Sequence, residues 1–203
     1  MIAVIDTSSL LSLVRYYLPF DSNGILKEYI KSKIESGEWI IIDKVYNECK
    51  YIAKGIVLET FNYLSEKSFQ TNFKAPYNTS GIFAPAPQKF IRQFDNQFVN
   101  MPILKARKLS EIELENQKES YLESADMKQV ILCLNLQKTN RTTVLVTEET
   151  EASNDNKLFK KIPAICNLLE IKTTNLPSLL KDSADLELYI QAINMTPELF
   201  ASE

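Results

Sequence analysis

Short apolar runs that alternate with segments of helical spacing most constrain how this chain can fold. The first run, residues 2–5, is continuously apolar and rich in β-branched side chains. Similar runs lie at residues 39–42 and 143–147, and a short edge strand is predicted at 171–173. Continuously apolar strands between helices are typical of parallel sheets covered on both faces. The pattern therefore predicts an α/β fold with three layers, α/β/α, around a central parallel sheet.

The domain organisation predicted from the sequence is one domain with an insertion. At 203 residues the chain can bury a full core, and residues 1–181 carry the strand and helix pattern. Residues from about 67 to 103 interrupt the pattern with four prolines and seven aromatic rings. These rings suit either base stacking or a small hydrophobic subdomain packed on the core, and we prefer the subdomain. Residues 182–203 are predicted to form a peripheral C-terminal helix and tail.

Two long helices are predicted from apolar positions spaced three and four residues apart. One begins after Asp43, its expected N-cap, and continues to about residue 64. The other covers residues 120–136 and carries apolar residues four and eight positions apart: Leu122, Val130 and Leu134. A short helix is expected near residues 88–98 of the insertion, and Ser8 or Ser9 is expected to cap the helix after the first strand.

Acidic residues occupy positions where the surrounding pattern is apolar or where a strand has just ended. Asp6 closes the first apolar run, and Glu148 and Glu149 follow the run at 143–147. Glu48 lies on the apolar face of its helix, and Asp126 fills a gap in another apolar row. Carboxylates are costly to bury unless they are paired, protonated or bound to metal. Because residues beyond the ends of parallel strands meet at one edge of the sheet, we expect a divalent-metal site there.

Each acidic residue also has a separate structural explanation. Asp6 could cap the next helix, and Glu48 could reach solvent from the edge of its helix. Asp126 could be favoured by the positive end of its helix, and Glu149 could be an exposed loop residue. Convergence on one site requires fewer coincidences than four independent explanations.

The absence of histidine restricts the chemistry that this chain can perform. It removes Ser-His-Asp and Cys-His catalysis, and also zinc, iron or copper sites built on histidine. Carboxylate oxygens prefer Mg²⁺ or Mn²⁺. The sequence has no Gly-rich phosphate loop and no Cys-x-x-Cys pair, and its 3 cysteines are interpreted as small buried hydrophobic residues of a reducing cytoplasm.

The charge distribution neither supports nor excludes a nucleic-acid partner. The net charge is −3, and removing the four acidic candidates leaves +1, since −3 + 4 = +1. Two local basic clusters, at residues 105–108 and 157–161, are interpreted as solvated faces, with a phosphate track as the alternative. No apolar stretch approaches the ~20 residues that span a bilayer, and Asp6 breaks the N-terminal run, so neither a membrane segment nor a signal peptide is expected.

In this order and context the four acidic residues resemble those of the PIN-domain nucleases. The segments that carry the resemblance are Val4-Ile5-Asp6-Thr7-Ser8-Ser9-Leu10, Val45-Tyr46-Asn47-Glu48, Ser124-Ala125-Asp126-Met127 and Leu145-Val146-Thr147-Glu148-Glu149. The segment from Ile162 to Cys166 also resembles a little-characterised bacterial subgroup related to toxin ribonucleases. The resemblance covers about residues 1–66 and 104–180. The fourth acid of the family is usually aspartate, and spacing from Thr147 favours Glu149 over Glu148 in that place.

This resemblance implies an Mg²⁺- or Mn²⁺-dependent endoribonuclease. Asp6 would be the central metal ligand, with Asp126 and Glu149 completing the set. Glu48 would bind a second metal or orient the attacking water. The resemblance further implies hydroxyls that orient the carboxylates, here those of Ser8 and Thr147. The expected substrate is RNA rather than DNA, and the candidate partners are an antitoxin protein and a second copy of the chain.

Two other functions compete with the nuclease. A PIN-like scaffold could bind RNA or a partner protein without cutting, although retention of all four acids argues against it. A phosphatase of the haloacid-dehalogenase type also begins with a strand that ends in aspartate. That class needs a second acid two residues later, where this chain has Ser8.

Overall fold

The computed structural model of the protein describes residues 1–151 and 156–188. These residues form a parallel sheet in the order β2-β1-β3-β4. Its strands are β1 (Ile2–Ile5), β2 (Trp39–Ile40), β3 (Thr143–Val146) and β4 (Thr173–Thr174). The fold is therefore α/β with an all-parallel sheet, as predicted, and its architecture is compatible with three layers.

Helices of varied length connect and cover the strands. They are α1 (Thr7–Ser12), α2 (Ile25–Glu35), α3 (Asp43–Cys49), α4 (Ile56–Thr60), α5 (Lys67–Phe73), α6 (Pro87–Gln93), α7 (Met101–Arg107), α8 (Glu111–Leu122), α9 (Ala125–Lys138), α10 (Ile162–Leu168) and α11 (Leu176–Lys181). Wider π-helical turns extend α1 over Leu13–Tyr17 and α6 over Phe94–Phe98. Within the described residues, no helix has the length and apolar character needed to cross a membrane.

The sheet order places a topological switch between its two central strands. From β1 the chain goes to β2 on one side, and it later returns to β3 on the other side of β1. β1 and β3 pair from Ile2 with Thr143 to Ile5 with Val146. Crevices that bind ligands in open α/β sheets form beyond the carboxyl ends of the strands at such a switch. The fold therefore directs attention to the residues that follow Ile5 and Val146.

The helix predicted from residue 43 to about residue 64 is interrupted. Helix α3 ends at Cys49, and Ala53, Lys54 and Gly55 then adopt left-handed backbone conformations with φ of 49°, 59° and 80°. Helix α4 begins immediately afterwards, and its Val57 is fully buried. The apolar face thus continues across the break, which is why apolar spacing predicted one helix. The expected N-cap, Asp43, is instead the first helical residue.

The prediction of one helix over residues 120–136 was also wrong at its start. Helix α8 ends at Leu122, and Ser124 begins α9 by accepting a hydrogen bond from the Met127 amide at 3.3 Å. Leu122 therefore belongs to the preceding helix and not to the apolar row of α9. Asp126 consequently lies in the first turn of α9, a helix that packs against α3 and β3.

Most of the aromatic rings in the insertion are buried, as the preferred interpretation predicted. The buried rings are Phe69, Phe90, Phe94 and Phe98. The more exposed rings are Phe73, Tyr77 and Phe83. The buried rings belong to the same hydrophobic core as the sheet, so the insertion packs on the main domain.

The C-terminal prediction falls largely outside the described residues. A helix and tail were expected over residues 182–203, but only residues up to 188 are described, and residues 182–188 are not helical. Asp185 forms an ion pair with Lys33 of α2 at 2.8 Å. This contact joins the chain after α11 to the main domain.

Candidate active site

Asp6 is fixed at the carboxyl end of β1 by four side-chain and backbone donors. Its Oδ2 accepts hydrogen bonds from Ser8 Oγ at 2.6 Å, Thr147 Oγ1 at 3.0 Å and the Ser8 amide at 3.4 Å. Its Oδ1 accepts one from Gln129 Nε2 at 3.1 Å. These charge-assisted bonds compensate the burial of a carboxylate that is only 6% exposed. Because an oxygen can accept two bonds, Oδ1 retains a free position.

Asp6 is also the N-cap of α1, through the longest of these bonds. The prediction that Ser8 or Ser9 caps this helix was therefore wrong. Asp6 therefore both caps α1 and interacts with the other acidic side chains. Ser8 and Thr147, which were expected to orient carboxylates, both donate to the same Asp6 oxygen.

The two glutamates after β3 have different surroundings. Glu148 Oε1 accepts hydrogen bonds from Ser9 Oγ at 3.1 Å and from the Leu176 amide at 2.8 Å, so it joins α1 to the start of α11. The Glu149 amide donates to Thr147 Oγ1 at 3.2 Å, while its buried Oε2 has no partner within the described residues. Glu149 lies in a cavity with Asp126, whereas Glu148 is held by structural contacts.

Asp126 is the most perturbed carboxylate of the site. Burial raises its pKa to about 7, and the charges of Asp6, Glu149 and Glu48 act in the same direction, while Lys157 opposes them. The Tyr121 hydroxyl lies 3.5 Å from Asp126 Oδ2 and donates to the Lys160 carbonyl at 3.1 Å. The position of Asp126 in the first turn of α9 favours its negative charge, but this effect does not offset burial and the repulsion by the other carboxylates.

Glu48 approaches the site from α3. Its Oε2 accepts a hydrogen bond from Thr7 Oγ1 at 2.5 Å. Burial raises the pKa of Glu48, the bond from Thr7 lowers it, and the charge of Asp6 raises it. The charges of Asp6 and Glu48 therefore interact directly. Together with the effects on Asp126, this links all four predicted acids electrostatically at the end of β1 and β3.

No protein-family model, curated protein or solved structure matches this chain.

The chemistry of the site suits a divalent cation, although its side chains do not yet surround one. In residues 1–151 and 156–188, no three aspartate, glutamate or cysteine side chains already have the arrangement of a metal site. The atoms that could coordinate a cation are nevertheless all oxygens, and the negatively charged carboxylates among them repel one another. Two buried oxygens nearby, Glu149 Oε2 and Gln129 Oε1, lack partners within the same residues. Asp6, Asp126 and Glu149 would hold the cation, and Glu48 would hold a second one.

Sequence reasoning missed three residues of this site. Gln129 is fully buried on α9 and contacts Asp6, Thr7 contacts Glu48, and Tyr121 stands beside Asp126. A signal for Gln129 existed, because it is a polar residue three positions after Asp126 within a buried stretch of α9. Thr7 and Tyr121 carried no comparable signal, since both residue types are common next to helix ends and in cores.

The cysteines confirm the expectation that they are small buried residues. Cys49, Cys133 and Cys166 are free and buried. Burial, followed by nearby carboxylates, raises the pKa of Cys49 and of Cys166 to about 12. Because thiolates rather than thiols are nucleophiles, these side chains do not supply one to the site.

Proposed function

We propose that the protein is a PIN-like, Mg²⁺- or Mn²⁺-dependent endoribonuclease. The observation that carries this proposal is the mutual interaction of Asp6, Glu48, Asp126 and Glu149 at the switch point of a parallel sheet. Besides burial, three carboxylates raise the pKa of Asp126 and Lys157 lowers it, so this concentration of negative charge favours a bound cation.

The roles of the residues follow from their hydrogen bonds. Four donors hold the Asp6 carboxylate in one orientation, which makes it the fixed member of the set. Asp126 and Glu149 line the same cavity, Glu149 Oε2 has no partner within the described residues, and Thr7 orients Glu48. The chemistry that Mg²⁺ or Mn²⁺ supplies in such a site is activation of water and stabilisation of charge on the leaving oxygen.

The choice of RNA as substrate, and of an antitoxin protein as partner, rests on the resemblance of the four acidic segments to PIN-domain toxins. A second candidate is a PIN-like scaffold that binds RNA or a protein without cutting it. The lack of a preformed three-acid metal group within the described residues favours this candidate. A haloacid-dehalogenase phosphatase finds no support, because Ser8 stands where its second acid is needed and serves as a donor to Asp6.

Asp6→Asn tests the proposal, because asparagine keeps the shape and removes the charge. The asparagine carbonyl can still accept from Gln129, and the hydroxyls of Ser8 and Thr147 can rotate to accept from the asparagine amide. Mn²⁺ at a hundredfold excess over its Kd should stabilise the unchanged protein by roughly 2.7 kcal/mol, and Asp6→Asn should lose most of this gain. Thermal melting with and without Mn²⁺, beside cleavage of single-stranded RNA, measures both effects.

Asp21→Asn is the matched control for a capping aspartate. Asp21 accepts hydrogen bonds from the Leu26 and Lys27 amides at the start of α2, away from the four acids. Because asparagine has one acceptor oxygen instead of two, its substitution should cost about 0.5–1.5 kcal/mol equally with and without Mn²⁺, and should leave cleavage unchanged. If Asp6→Asn behaves in the same way as Asp21→Asn, Asp6 is only a cap and the nuclease proposal fails. Mn²⁺-independent RNA binding without cleavage by the unchanged protein would identify the scaffold.

A further inference from the structure

A cavity of about 260 Å³ adjoins the acidic residues and has walls of opposite charge. The residues that matter for its chemistry are Asp126, Glu149, Tyr121, Arg107, Lys157 and Lys160. The acids come from α9 and from the end of β3, whereas the cations come from α7 and from the segment before α10. The two basic clusters that are separate in sequence thus meet at one cavity beside the proposed active site.

The segment that carries the two lysines is held in place by backbone pairing with the insertion. Phe159 forms an antiparallel bridge with Val99. The Asn100 amide donates to the Leu158 carbonyl at 2.7 Å, and the Lys160 amide donates to the Phe98 carbonyl at 2.9 Å. Leu158 is buried, so the segment is anchored in the core while both neighbouring basic side chains stay exposed.

Two side chains fix the same segment relative to the acids. Arg107 Nη2 donates to the Asn156 carbonyl at 2.6 Å, which leaves its other N–H groups available. The Tyr121 hydroxyl donates to the Lys160 carbonyl at 3.1 Å and also stands beside Asp126. The cations are therefore placed beside the carboxylates by the fold, rather than by their own flexible side chains.

These cations are not used in ion pairs within the described part of the chain. The salt bridges there involve Lys33, Lys44, Lys118 and Lys128. Arg107, Lys157 and Lys160 have no carboxylate within ion-pair distance in residues 1–151 and 156–188. Lys157 nevertheless lines the same cavity as Asp126 and Glu149, so it lies beside the acidic wall. Cations that lack a protein counter-ion beside a phosphodiesterase site suit a phosphate of the substrate.

The aromatic floor of the cavity is unsuited to reading bases. The rings of Tyr121 and Phe159 are stacked on each other at 4.2 Å with an interplanar angle of 1°. Both rings also contact Phe94, at 6.1 Å and 5.5 Å. Because one face of each ring is covered by the other ring, the pair offers less surface for stacking on a base, and the charged side chains are the main means of recognition in the cavity.

We propose that Arg107, Lys157 and Lys160 bind the backbone phosphate next to the scissile phosphate of a single RNA strand. This inference rests on the proposed nuclease function and adds the way in which the strand is placed. The acids and their cation take the scissile phosphate, and the basic wall takes its neighbour. The register of the strand is then set by its phosphates, so cleavage tolerates different bases at this position.

A substitution cycle between protein and RNA tests this proposal. The linkage that the unchanged protein cleaves in a defined oligonucleotide is first mapped with Mn²⁺. Binding of that oligonucleotide is then followed by fluorescence anisotropy in Asp6→Asn, with and without the added pair Lys157→Ala and Lys160→Ala. Losing one phosphate contact should weaken binding about fivefold at 0.1 M salt and lower the salt slope by about 0.7.

A neutral 2′-deoxy methylphosphonate placed next to the cleaved linkage supplies the other arm of the cycle. It should cost at least the same fivefold in the protein with both lysines, compared with a 2′-deoxy phosphate, and clearly less in the lysine-substituted protein, where only Arg107 still binds that phosphate. Lys157→Arg with Lys160→Arg should restore binding. The pair Lys138→Ala and Arg141→Ala, exposed at the opposite end of the sheet between α9 and β3, is the matched control and should leave binding unchanged.

The outcomes separate the two proposals. If the unchanged protein cleaves RNA but the methylphosphonate costs the same with and without the lysines at both neighbouring linkages, the phosphate site is wrong and the nuclease stands. If the control pair weakens binding as much as the lysine pair, the contact is only general electrostatic attraction, and the site is again overturned. If the unchanged protein cleaves no RNA with Mn²⁺, both proposals fail.

Discussion

Glu148 and Glu149 are neighbours in the chain, but their carboxylates have different surroundings. Glu148 accepts hydrogen bonds from Ser9 and from the Leu176 amide, and so joins two helices. Glu149 has a buried oxygen without a partner in the described residues and contributes to the repulsion around Asp126. The protein satisfies the carboxylate of Glu148, and we propose that the carboxylate of Glu149 binds the metal ion.

Alanine at each position should therefore have opposite effects. Glu148→Ala leaves the Leu176 amide without an acceptor and should cost about 1–2 kcal/mol, with the Mn²⁺-induced rise in Tm preserved. Glu149→Ala removes repulsion, so metal-free stability should stay equal or rise, while the Mn²⁺-induced rise in Tm is lost. Melting curves of both variants with Mn²⁺ and with a chelator measure this. If the Mn²⁺-induced rise in Tm is lost in Glu148→Ala and kept in Glu149→Ala, Glu148 is the metal ligand and Glu149 the structural residue.

At the scale of elements, the junction between α3 and α4 is built from consecutive left-handed residues. Ala53 and Lys54 adopt conformations that favour glycine, and Gly55 completes the turn. The junction lets Val57 of α4 be fully buried, while Glu48 of α3 contacts Thr7 at the acidic site. Lys54 is exposed, so its backbone strain can be altered without disturbing packing.

Lys54→Gly should stabilise the protein by about 0.5 kcal/mol, because relief of left-handed strain exceeds the added freedom of the unfolded chain. Lys89 is the matched control, since it is an exposed lysine inside α6. Lys89→Gly should cost about 1 kcal/mol because glycine is unfavourable within a helix. Urea unfolding of both variants measures whether each substitution raises or lowers the free energy of unfolding. Destabilisation by Lys54→Gly of the same size as by Lys89→Gly would mean that residue 54 is not left-handed in solution.

For the whole molecule, the raised pKa of Asp126 makes stability depend on pH. Asp126 has an ordinary pKa of 3.8 when exposed and about 7 in the fold. A carboxyl whose pKa is raised by folding binds a proton more tightly in the folded state. Its stabilising effect is therefore complete below about pH 4 and is lost as the pH rises to about 7. Glu48 changes in the same direction.

Asp126→Asn should remove this dependence in metal-free protein. The variant should match the unchanged protein near pH 4 and exceed its stability by about 4 kcal/mol at pH 8, where ionised Asp126 is buried and repels its neighbours. Denaturant unfolding of both proteins with a chelator at several pH values gives the difference in their free energies of unfolding. The contributions of other titrating groups largely cancel in this difference. A difference that is constant with pH, or greatest at low pH, would contradict the raised pKa. Added Mn²⁺ should reduce the difference at pH 8.

The sequence by itself determined the parallel α/β sheet, the buried insertion and the positions of the acids along the chain. An apolar run indicates a buried strand, and proline or serine indicates where a helix begins. Both signals can be read from the sequence because these effects act within a few residues. The strands at β1 and β3 and the Pro163 start of α10 were predictable for that reason. Asp6 and Glu149 could be assigned to one edge because parallel strands end together.

Only the tertiary structure decided which neighbours each of these side chains has. Apolar spacing indicates which face of a helix is buried, but it does not reveal a left-handed turn after which the same face remains buried. Val57 is an example, because it is buried beyond the turn at residues 53–55. The separate roles of Glu148 and Glu149 depend on Leu176 and Asp126, which are remote from them in sequence. The cavity that joins Arg107 to Lys157 likewise forms only when the insertion pairs with the segment before α10. Hydrogen bonding and charge act through space, so spacing along the chain could not specify them.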